Sequence, residues 1–452
     1  RAPAPEPEER NFSAKRYFAD VLVLDRIQRN LAFKGRRPAQ NTNAVDEVPD
    51  SSWFTNRIGL YDFTPEEVGR GALTGPPPKP PLTITGGKAG GGNPGFLARD
   101  ALGRVFVIKF DPPENPEIQT ATNAVVNRLF WAAGYNVPAD YVFWFGVEDL
   151  EVEPDAKSKG EYGRKVPLTI EMVHEMLDRV SRDKEGRFRA TASLYLSGIP
   201  KGGFPAEGTR RDDPNDTIPH ELRRDLRGLR AIAAWLGHTD MKEDNTLDMY
   251  VGEPGAGHLV HYFVDFGEAL GAHQAEKQRW EDGWEHVWDW QRNTLAAVTF
   301  GMWKRPWEDT KLTPWASIGA FSADPFSPKL WREAYPYFPF MEATAPDLYW
   351  GAKIVMRFRR EHIVAAVAEG QFGDPDAAAY LVETLVKRRD MVGKEWLDSV
   401  TAIDYLEPQQ GQVCGVDLVV RYGLAPPGEL EVLDGSKNDV RFVAPVAPDG
   451  TV

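Results

Sequence analysis

The sequence predicts a two-lobed α+β fold, in which a small antiparallel sheet with one helix precedes a mostly helical half. Short apolar runs bounded by turn residues, such as Val105–Phe110, predict strands within 82–200. Ile118–Ala133 has apolar residues at helical spacing and supplies the helix of this first half. His220–Leu236 is an amphipathic helix, and the stretch of about 270–400 has mostly helical patterns. A sheet followed by segregated helices is typical of an α+β fold.

The individual elements follow from the same patterns. The predicted strands are Leu82–Thr85, Phe96–Arg99, Val105–Phe110, Tyr141–Gly146, Phe188–Ser197, Leu247–Val251 and Leu259–Asp265, and the predicted helices are Ile118–Ala133, Ile170–Val180 and His220–Leu236. The chain divides into an extended N-terminal segment with a Pro-rich linker (1–81), a sheet lobe (82–200), a helical lobe (201–400) and a C-terminal extension of short strands (401–452).

Composition excludes several classes of protein. The 452 residues carry a net charge of −14, which argues against non-specific binding of nucleic acid, because that requires a basic surface. Cys414 is the single cysteine, so neither an intramolecular disulfide nor a cysteine-based zinc cluster can form. No apolar run is long enough to span a membrane.

The compartment is left open by the sequence. The chain begins at Arg1 with a Pro/Glu-rich stretch, Arg1–Arg10, that would suit an exposed tether. If a leader was removed, we expect a periplasmic or lipid-anchored protein, and otherwise a cytoplasmic one.

Two short strings are the most informative feature of the chain. His238–Asn245 (HTDMKEDN) fits the pattern H-x-D-x-K-x-x-N, and Asp265–Gly267 is D-F-G. Upstream, Lys109 lies in the apolar strand VFVIKF. A lysine in such a strand must lie at an edge or be paired with a charge.

Together these strings resemble the catalytic loop, the metal-binding loop and the lysine strand of the protein-kinase superfamily. The end of the first helix, Ala132–Pro138 (AAGYNVP), is similar to the atypical HipA-like and CotH-like branches. The stretch Gly208–His220 (GTRRDDPNDTIPH) resembles a signature of an uncharacterised bacterial protein family that shares these strings. No A-P-E string follows D-F-G, which is consistent with an atypical branch.

The resemblance implies a role for each polar residue of the two strings. Asp240 would be the catalytic base for an acceptor hydroxyl, and Lys242 would steady the γ-phosphate. Asn245 and Asp265 would bind Mg²⁺ through hard oxygen ligands. His238 would be a structural hydrogen-bonding residue.

The resemblance also implies how ATP would be held. Lys109 would contact its phosphates, and the glycine-rich turn Gly86–Gly95, with Gly90, Gly91 and Gly92 at its centre, would cover them. Lys88 in this turn is expected to be solvated. The helix glutamate that usually pairs with the lysine is missing, because Asn123 stands in its place. Glu117, just before the helix, either rebuilds the ion pair or leaves it absent.

Two functions follow. One is an ATP- and Mg²⁺-dependent phosphotransferase whose acceptor is a hydroxyl of a protein or a small molecule. The other is an inactive pseudokinase that serves as a scaffold or subunit of a larger, possibly cell-envelope, assembly, and the missing glutamate favours it.

Two further patterns have a structural and a functional interpretation. Asp212, Asp213 and Asp216 either contact metal or substrate or cap a helix, and the capping role is favoured. The cluster Trp280, Trp284, Trp288 and Trp290 has helical spacing, so it either packs in the helical lobe, as we expect, or forms a surface for protein partners.

Overall fold

The structure is a computed structural model of the chain. It describes residues 2–24, 36–88, 94–159, 164–273, 276–277, 281–409, 411–433 and 440–452. The glycines at 90–92 that were predicted to cover a nucleotide lie outside the described residues.

The described elements confirm a mixed α+β chain with strands first and most helices later. The strands are β1 Leu82–Gly87, β2 Gly95–Arg99, β3 Val105–Phe110, β4 Asp140–Phe145, β5 Leu150–Lys159, β6 Lys165–Pro167, β7 Phe188–Leu194, β8 Ile199–Pro200, β9 Thr246–Val251, β10 His258–Phe263, β11 Ala272–His273, β12 Glu276–Lys277, β13 Ile403–Gln409, β14 Gln412–Asp417, β15 Glu429–Leu433 and β16 Val440–Pro445. The α-helices are α1 Ala14–Ala19, α2 Pro65–Arg70, α3 Ile118–Ala133, α4 Ile170–Leu177, α5 Arg224–Leu236, α6 Trp290–Val298, α7 Phe338–Glu342, α8 Ala345–Arg357, α9 Arg360–Ala368, α10 Pro375–Trp396 and α11 Leu418–Arg421.

A seven-stranded sheet forms the first lobe, in the order β4-β7-β3-β2-β1-β5-β6. We call the part built on it, 82–194, the sheet lobe, and the part that contains α5–α10 the helical lobe. The neighbouring strands are antiparallel except for β1 and β5, which run parallel. A separate three-stranded sheet, β10-β9-β8, is formed by β8, which precedes α5, and by β9 and β10, which follow it.

The predicted sheet was too small because β5 and β6 were missed. Strand β5 has the sequence LEVEPDAKSK, in which charged residues and a proline interrupt any apolar alternation. Such a strand is compatible with the edge region of a sheet, where one side is exposed and proline is tolerated. Its pairing with β1 therefore depends on tertiary contacts that the local pattern does not reveal.

Two hydrophobic cores organise the molecule. One lies in the sheet lobe and contains Leu82, Ile108 and Phe143 together with Leu177 of α4. The other joins the helical lobe to α3 and to the segment around Trp53. Helix α3 therefore packs against the helical lobe. Because α3 also belongs to the sheet lobe, it links that lobe to the region of the two motifs.

Helices α5 and α8 pack closely because a glycine from each lies at the crossing. A Cβ at Gly351 would lie 2.2 Å from the carbonyl oxygen of Gly228, so a side chain there would separate the helices. Arg224 and Arg227 of α5 both pair with Asp347 of α8, at 2.8 and 3.3 Å. Among the described residues, no helix is long and apolar enough to cross a membrane.

Candidate active site

A hairpin brings the two motifs together. Strands β9 and β10 pair antiparallel, with Thr246 opposite Phe263 at the open end. One step further, the backbone N–H of Val264 donates to the carbonyl oxygen of Asn245 at 3.0 Å. Asn245 closes the first motif and Asp265 opens the second, so the register of the hairpin places these two residues beside each other.

Lys109 extends from β3 to the second motif. Its Nζ lies 2.7 Å from Oδ1 of Asp265, and the Asp265 side chain is 43% exposed. Enclosure by the protein would raise the pKa of this carboxyl, but the positive charge and hydrogen bond of Lys109 lower it to about 2. Asp265 also has a positive φ of 63°. A non-glycine residue in this left-handed region is often found at functional sites.

Asp240 is the centre of the first motif. Its Oδ2 accepts hydrogen bonds from Lys242 Nζ at 2.7 Å and from Asn245 Nδ2 at 2.7 Å. Its Oδ1 is buried and has no hydrogen-bond partner among the described residues. A buried carboxylate oxygen without a donor is costly, so Oδ1 is the atom to which an acceptor hydroxyl would donate.

The residues present fit a Mg²⁺ site by the chemistry of their donors. The amide nitrogen of Asn245 is used twice, by the carboxylate and by the backbone oxygen of Asp240. With the amide of Asn245 in this orientation, its side-chain oxygen is the atom that can bind a cation. Asp265 keeps a second carboxylate oxygen beside the one that faces Lys109. Amide and carboxylate oxygens are the hard ligands that Mg²⁺ prefers.

Lys88 also belongs to the cleft, contrary to the expectation that it is solvated. Burial lowers its pKa, and the nearby charge of Lys109 lowers it further, whereas Asp265 and Asp244 act in the opposite direction. Two lysines that influence each other in this way favour an anionic ligand between them, such as a phosphate group.

Glu268 adds a titrating group to the cleft. Burial raises its pKa to about 7, and the charge of Asp240 acts in the same direction, while His273 and Lys242 oppose it. Its carboxylate lies 3.3 Å from Nδ1 of His273. Sequence patterns gave no sign of this residue, although it directly follows D-F-G.

Glu117 does not rebuild the ion pair with Lys109. Its carboxylate accepts hydrogen bonds from the backbone N–H of Gly373, at 3.0 and 3.1 Å. Glu117 has a positive φ of 69° at the N-terminus of α3, which turns the chain toward the loop after α9. The prediction that it serves Lys109 is therefore wrong in this structure, and Asp265 takes its place as the partner.

Glu117 is one of three side chains that tie the sheet lobe and α3 to this loop. Arg189 of β7 donates to the carbonyl oxygens of Gly370 and Gln371, at 2.5 and 2.7 Å. Arg128 of α3 lies 3.3 Å from the carboxylate of Glu369. These side chains of the sheet lobe and α3 therefore contact several residues of the loop 369–373.

Asn123, which stands in place of the helix glutamate, has a different function. Its Nδ2 donates to Oδ2 of Asp140 at 2.6 Å, and its Oδ1 accepts from the backbone N–H of Phe266 at 3.0 Å. Asn127 donates to the same oxygen of Asp140 at 3.1 Å. Helix α3 therefore fixes the backbone of the second motif through an amide rather than fixing Lys109 through a carboxylate.

The apolar part of the second motif packs against α3. The ring of Phe266 lies 4.9 Å from that of Phe130, and His238 lies against both rings. His238 Nδ1 also bonds to the carbonyl oxygen of Glu268 at 3.1 Å, consistent with a structural role. Within D-F-G, the residue with a positive φ is Asp265 and not Gly267. Gly267 lies close to the side-chain amide oxygen of Gln119.

The acidic loop within Gly208–His220 makes internal contacts. Asp216 accepts from the backbone of Arg210 at 2.6 Å and lies 2.8 Å from Nε2 of His220. Asp212 accepts from the backbone N–H of Glu8 at 2.8 Å. These contacts are structural, but the expected helix cap is not formed: the helices that begin at His220 and Arg224 have no side-chain cap, and the partners of the described aspartates lie in the loop itself and in the N-terminal segment.

The tryptophan cluster does not pack as expected. Trp288 and Trp290 are 48% and 54% exposed, because α6 begins only at Trp290 and the residues before it form turns. Trp280 lies outside the described residues.

The chain is similar to solved structures of two kinases and of Fam20. The proinflammatory kinase CtkA of Helicobacter pylori aligns at a TM-score of 0.37 and 11% identity, over 69% of this chain and 94% of that one. The Golgi casein kinase with Mn and ADP bound aligns at 0.32 and 10%, over 70% and 74%. Hydra Fam20 with sugar aligns at 0.24 and 12%, over 42% and 64%.

No protein-family model matches the chain. No curated protein matches it either.

Proposed function

We propose that the chain is an ATP- and Mg²⁺-dependent phosphotransferase with an atypical kinase fold. The observation that carries the proposal is the convergence of Lys109 and Asp265, 2.7 Å apart, beside a catalytic loop in which Asp240 bonds to Lys242 and Asn245. Phosphoryl transfer requires positioning and neutralisation of charge more than covalent chemistry, and this set supplies both.

Each residue has one task in this proposal. Lys109 and Lys88 neutralise the phosphates of the nucleotide, and Asn245 and Asp265 hold the cation. When bound, the cation would neutralise charge on the phosphates. Asp240 accepts a hydrogen bond from the acceptor hydroxyl through Oδ1 and receives its proton.

The acceptor is a hydroxyl group of a protein or a small molecule. The described cleft contains carboxylates at Asp240, Asp244 and Glu268, and burial raises the pKa of Asp244 and of Glu268. These acids favour a neutral or cationic acceptor over an anionic one.

A pseudokinase that acts as a scaffold is the second candidate. The observation in its favour is Asn123, which bonds to Asp140 and Phe266 and leaves Lys109 without a carboxylate from α3. Lys109 is paired with the same carboxylate that would hold the cation. A scaffold would keep this ion pair permanently.

A thermal-unfolding titration with ATP, with and without Mg²⁺, tests the proposal. A ligand that binds only the folded state raises the unfolding temperature. We expect a rise that requires Mg²⁺ in the wild type and is lost in Asp265→Asn. Asp178→Asn is a matched control, because this side chain is 74% exposed and lies in the sheet lobe.

Two results separate the candidates. A Mg²⁺-dependent rise together with formation of ADP supports the phosphotransferase. The absence of any rise at millimolar ATP would contradict it and favour the scaffold.

A further inference from the structure

The N-terminal arm, which we define as residues 2–24, is attached to the helical lobe beside the catalytic loop. Ala4 pairs with Gly257 of the β9–β10 turn, and the backbone N–H of Arg10 donates to the carbonyl oxygen of Lys201 at 3.0 Å. Glu6 forms an ion pair with Lys201 at 2.5 Å. The first part of the arm is therefore fixed by main-chain and side-chain contacts.

The loop Gly208–His220 provides a second anchor. Asn215 exchanges two hydrogen bonds with the backbone of Ala2, at 2.9 and 3.1 Å. Arg210, whose side chain is 1% exposed, donates to the carbonyl oxygen of Glu8 and pairs with the buried Asp248. A fully buried arginine committed to the arm's backbone indicates that the arm belongs to the folded structure.

The second part of the arm runs along the catalytic loop. Arg10 lies 3.8 Å from the carboxylate of Glu243, and the ring of Phe18 lies 5.0 Å from that of Tyr335. A cavity of about 340 Å³ lies between the arm and the helical lobe, and its lining includes Tyr17 and Glu243. Glu243 belongs to the loop His238–Asn245, so this cavity lies against the proposed catalytic loop.

Tyr17 of the arm lines this cavity together with Glu243 of the loop. Burial raises the pKa of its phenol, the nearby carboxylates of Glu243 and Asp240 raise it further, and a hydrogen bond with the backbone of Glu243 opposes them. The phenol therefore keeps its proton at neutral pH and needs a base in order to react. Oδ1 of Asp240 is buried without a hydrogen-bond partner among the described residues.

We propose that Tyr17 is an intramolecular phosphate acceptor of this site. This inference rests on the proposed phosphotransferase function. The phenolic oxygen of Tyr17 attacks the γ-phosphorus of ATP, and a new P–O bond forms. The bond from the γ-phosphorus to the β–γ bridging oxygen breaks, ADP leaves with its electron pair, and the phenolic proton passes to Asp240.

Phosphorylation would change the electrostatics of the arm. A phosphotyrosine carries a charge of about −1.5 to −2 at neutral pH. Placed beside Glu243 and Asp240, this charge would be repelled, so the part of the arm after Arg10 is expected to leave the loop. The anchors at Ala2 and Glu8 involve other residues and would remain.

The test uses the full chain with ATP and Mg²⁺, followed by peptide mass spectrometry. We expect phosphate on Tyr17 in the wild type and none there in Asp240→Asn or Tyr17→Phe. Tyr61 and Tyr195, which are 59% and 48% exposed, are internal controls for non-specific labelling. The Tyr17→Phe variant keeps the ring and its packing, and it should bind ATP as the wild type does.

A mixing experiment separates intramolecular from intermolecular transfer. Wild type is incubated with an isotopically heavy Asp240→Asn chain, so that peptides from the two chains are distinguished by mass. Label confined to the light chain, at a rate independent of protein concentration, supports the proposal. Label on the heavy chain's Tyr17 at a comparable rate would overturn the intramolecular step.

The remaining results distinguish this inference from the proposed function. Mg²⁺-dependent ATP binding without phosphate on Tyr17 would overturn the inference and leave the nucleotide site intact. Phosphate on Tyr61 and Tyr195 at the same level as on Tyr17 would also overturn it. Absence of both ATP binding and transfer would refute the proposed function and the inference together.

Discussion

Lys109 and Asp265 form a direct ion pair, with Nζ and Oδ1 2.7 Å apart. Lys109 belongs to β3 of the sheet lobe, and Asp265 follows β10, so one contact joins the sheet to the second motif. The pair holds the pKa of Asp265 at about 2 although the protein partly encloses the carboxylate. In the proposed function, this ionised carboxylate would exchange the ammonium group of Lys109 for a cation when a nucleotide binds.

Lys109→Met is expected to make the folded state less sensitive to acid. Because the folded-state pKa of Asp265 is depressed, its stabilising contribution is present above the ordinary value of 3.8 and is lost as the pH falls toward 2. Without Lys109, burial raises this pKa, so the acid-dependent loss from Asp265 should disappear and the variant should lose less stability than the wild type as the pH falls. Urea unfolding between about pH 2 and 5 measures this difference. Lys79→Met, at an exposed position, should follow the wild type.

Asp240→Asn is expected to lower phosphate transfer by about 10²- to 10⁴-fold, the usual contribution of a positioned general base. Asparagine has nearly the same shape but cannot accept a proton from the acceptor hydroxyl. The affinity for ATP should change far less, because Asp240 faces the acceptor through Oδ1. Parallel measurements of ADP formation and ATP binding check both statements. Wild-type turnover in this variant would contradict the assigned role of Asp240.

Asn123→Ala should destabilise the fold by about 1–3 kcal/mol for each buried group that loses its partner. The substitution removes the acceptor of the Phe266 N–H and a donor to Asp140. The free energy of unfolding from urea titration measures the effect. Asn293→Ala is the matched control, since Asn293 is exposed on α6 and its change should remain within about 0.5 kcal/mol. Equal losses in the two variants would refute a bridging role for Asn123.

Glu268→Gln is expected to change the pH dependence of stability. The folded-state pKa of Glu268 is raised from 4.5 to about 7, so its favourable contribution is complete at low pH and is lost as the pH rises through this range. The groups that act on it are Asp240, His273, Lys242 and Asp265. Glutamine cannot ionise, so the variant should gain unfolding temperature relative to the wild type as the pH increases toward 7. A constant difference across that range would contradict the assignment.

The local sequence specifies the elements with strong periodicity. The helix Ile118–Ala133 has the predicted bounds, and the strand Val105–Phe110 does as well. Both are largely buried, so their apolar patterns are well defined. The pairing of the two motifs follows from a short hairpin and needs few long-range contacts.

Residues whose role depends on distant contacts were not predictable. Proximity in sequence leaves open whether Glu117 pairs with Lys109 or the ion pair is absent, and the backbone conformation directs Glu117 to Gly373, 256 positions away. Lys88 and Glu268 acquire their properties from neighbours that only the fold brings close. The spacing of the tryptophans indicated a helix, yet helical structure begins at the last of them.

The ties between the sheet side and the loop 369–373 have a mechanical consequence. Arg189, Arg128 and Glu117 contact four residues of this loop, so a hinge that opens the cleft there would break several polar contacts in one movement. Separation of the two lobes at this loop is therefore energetically costly, and ligands should enter and leave the cleft without a large opening movement there.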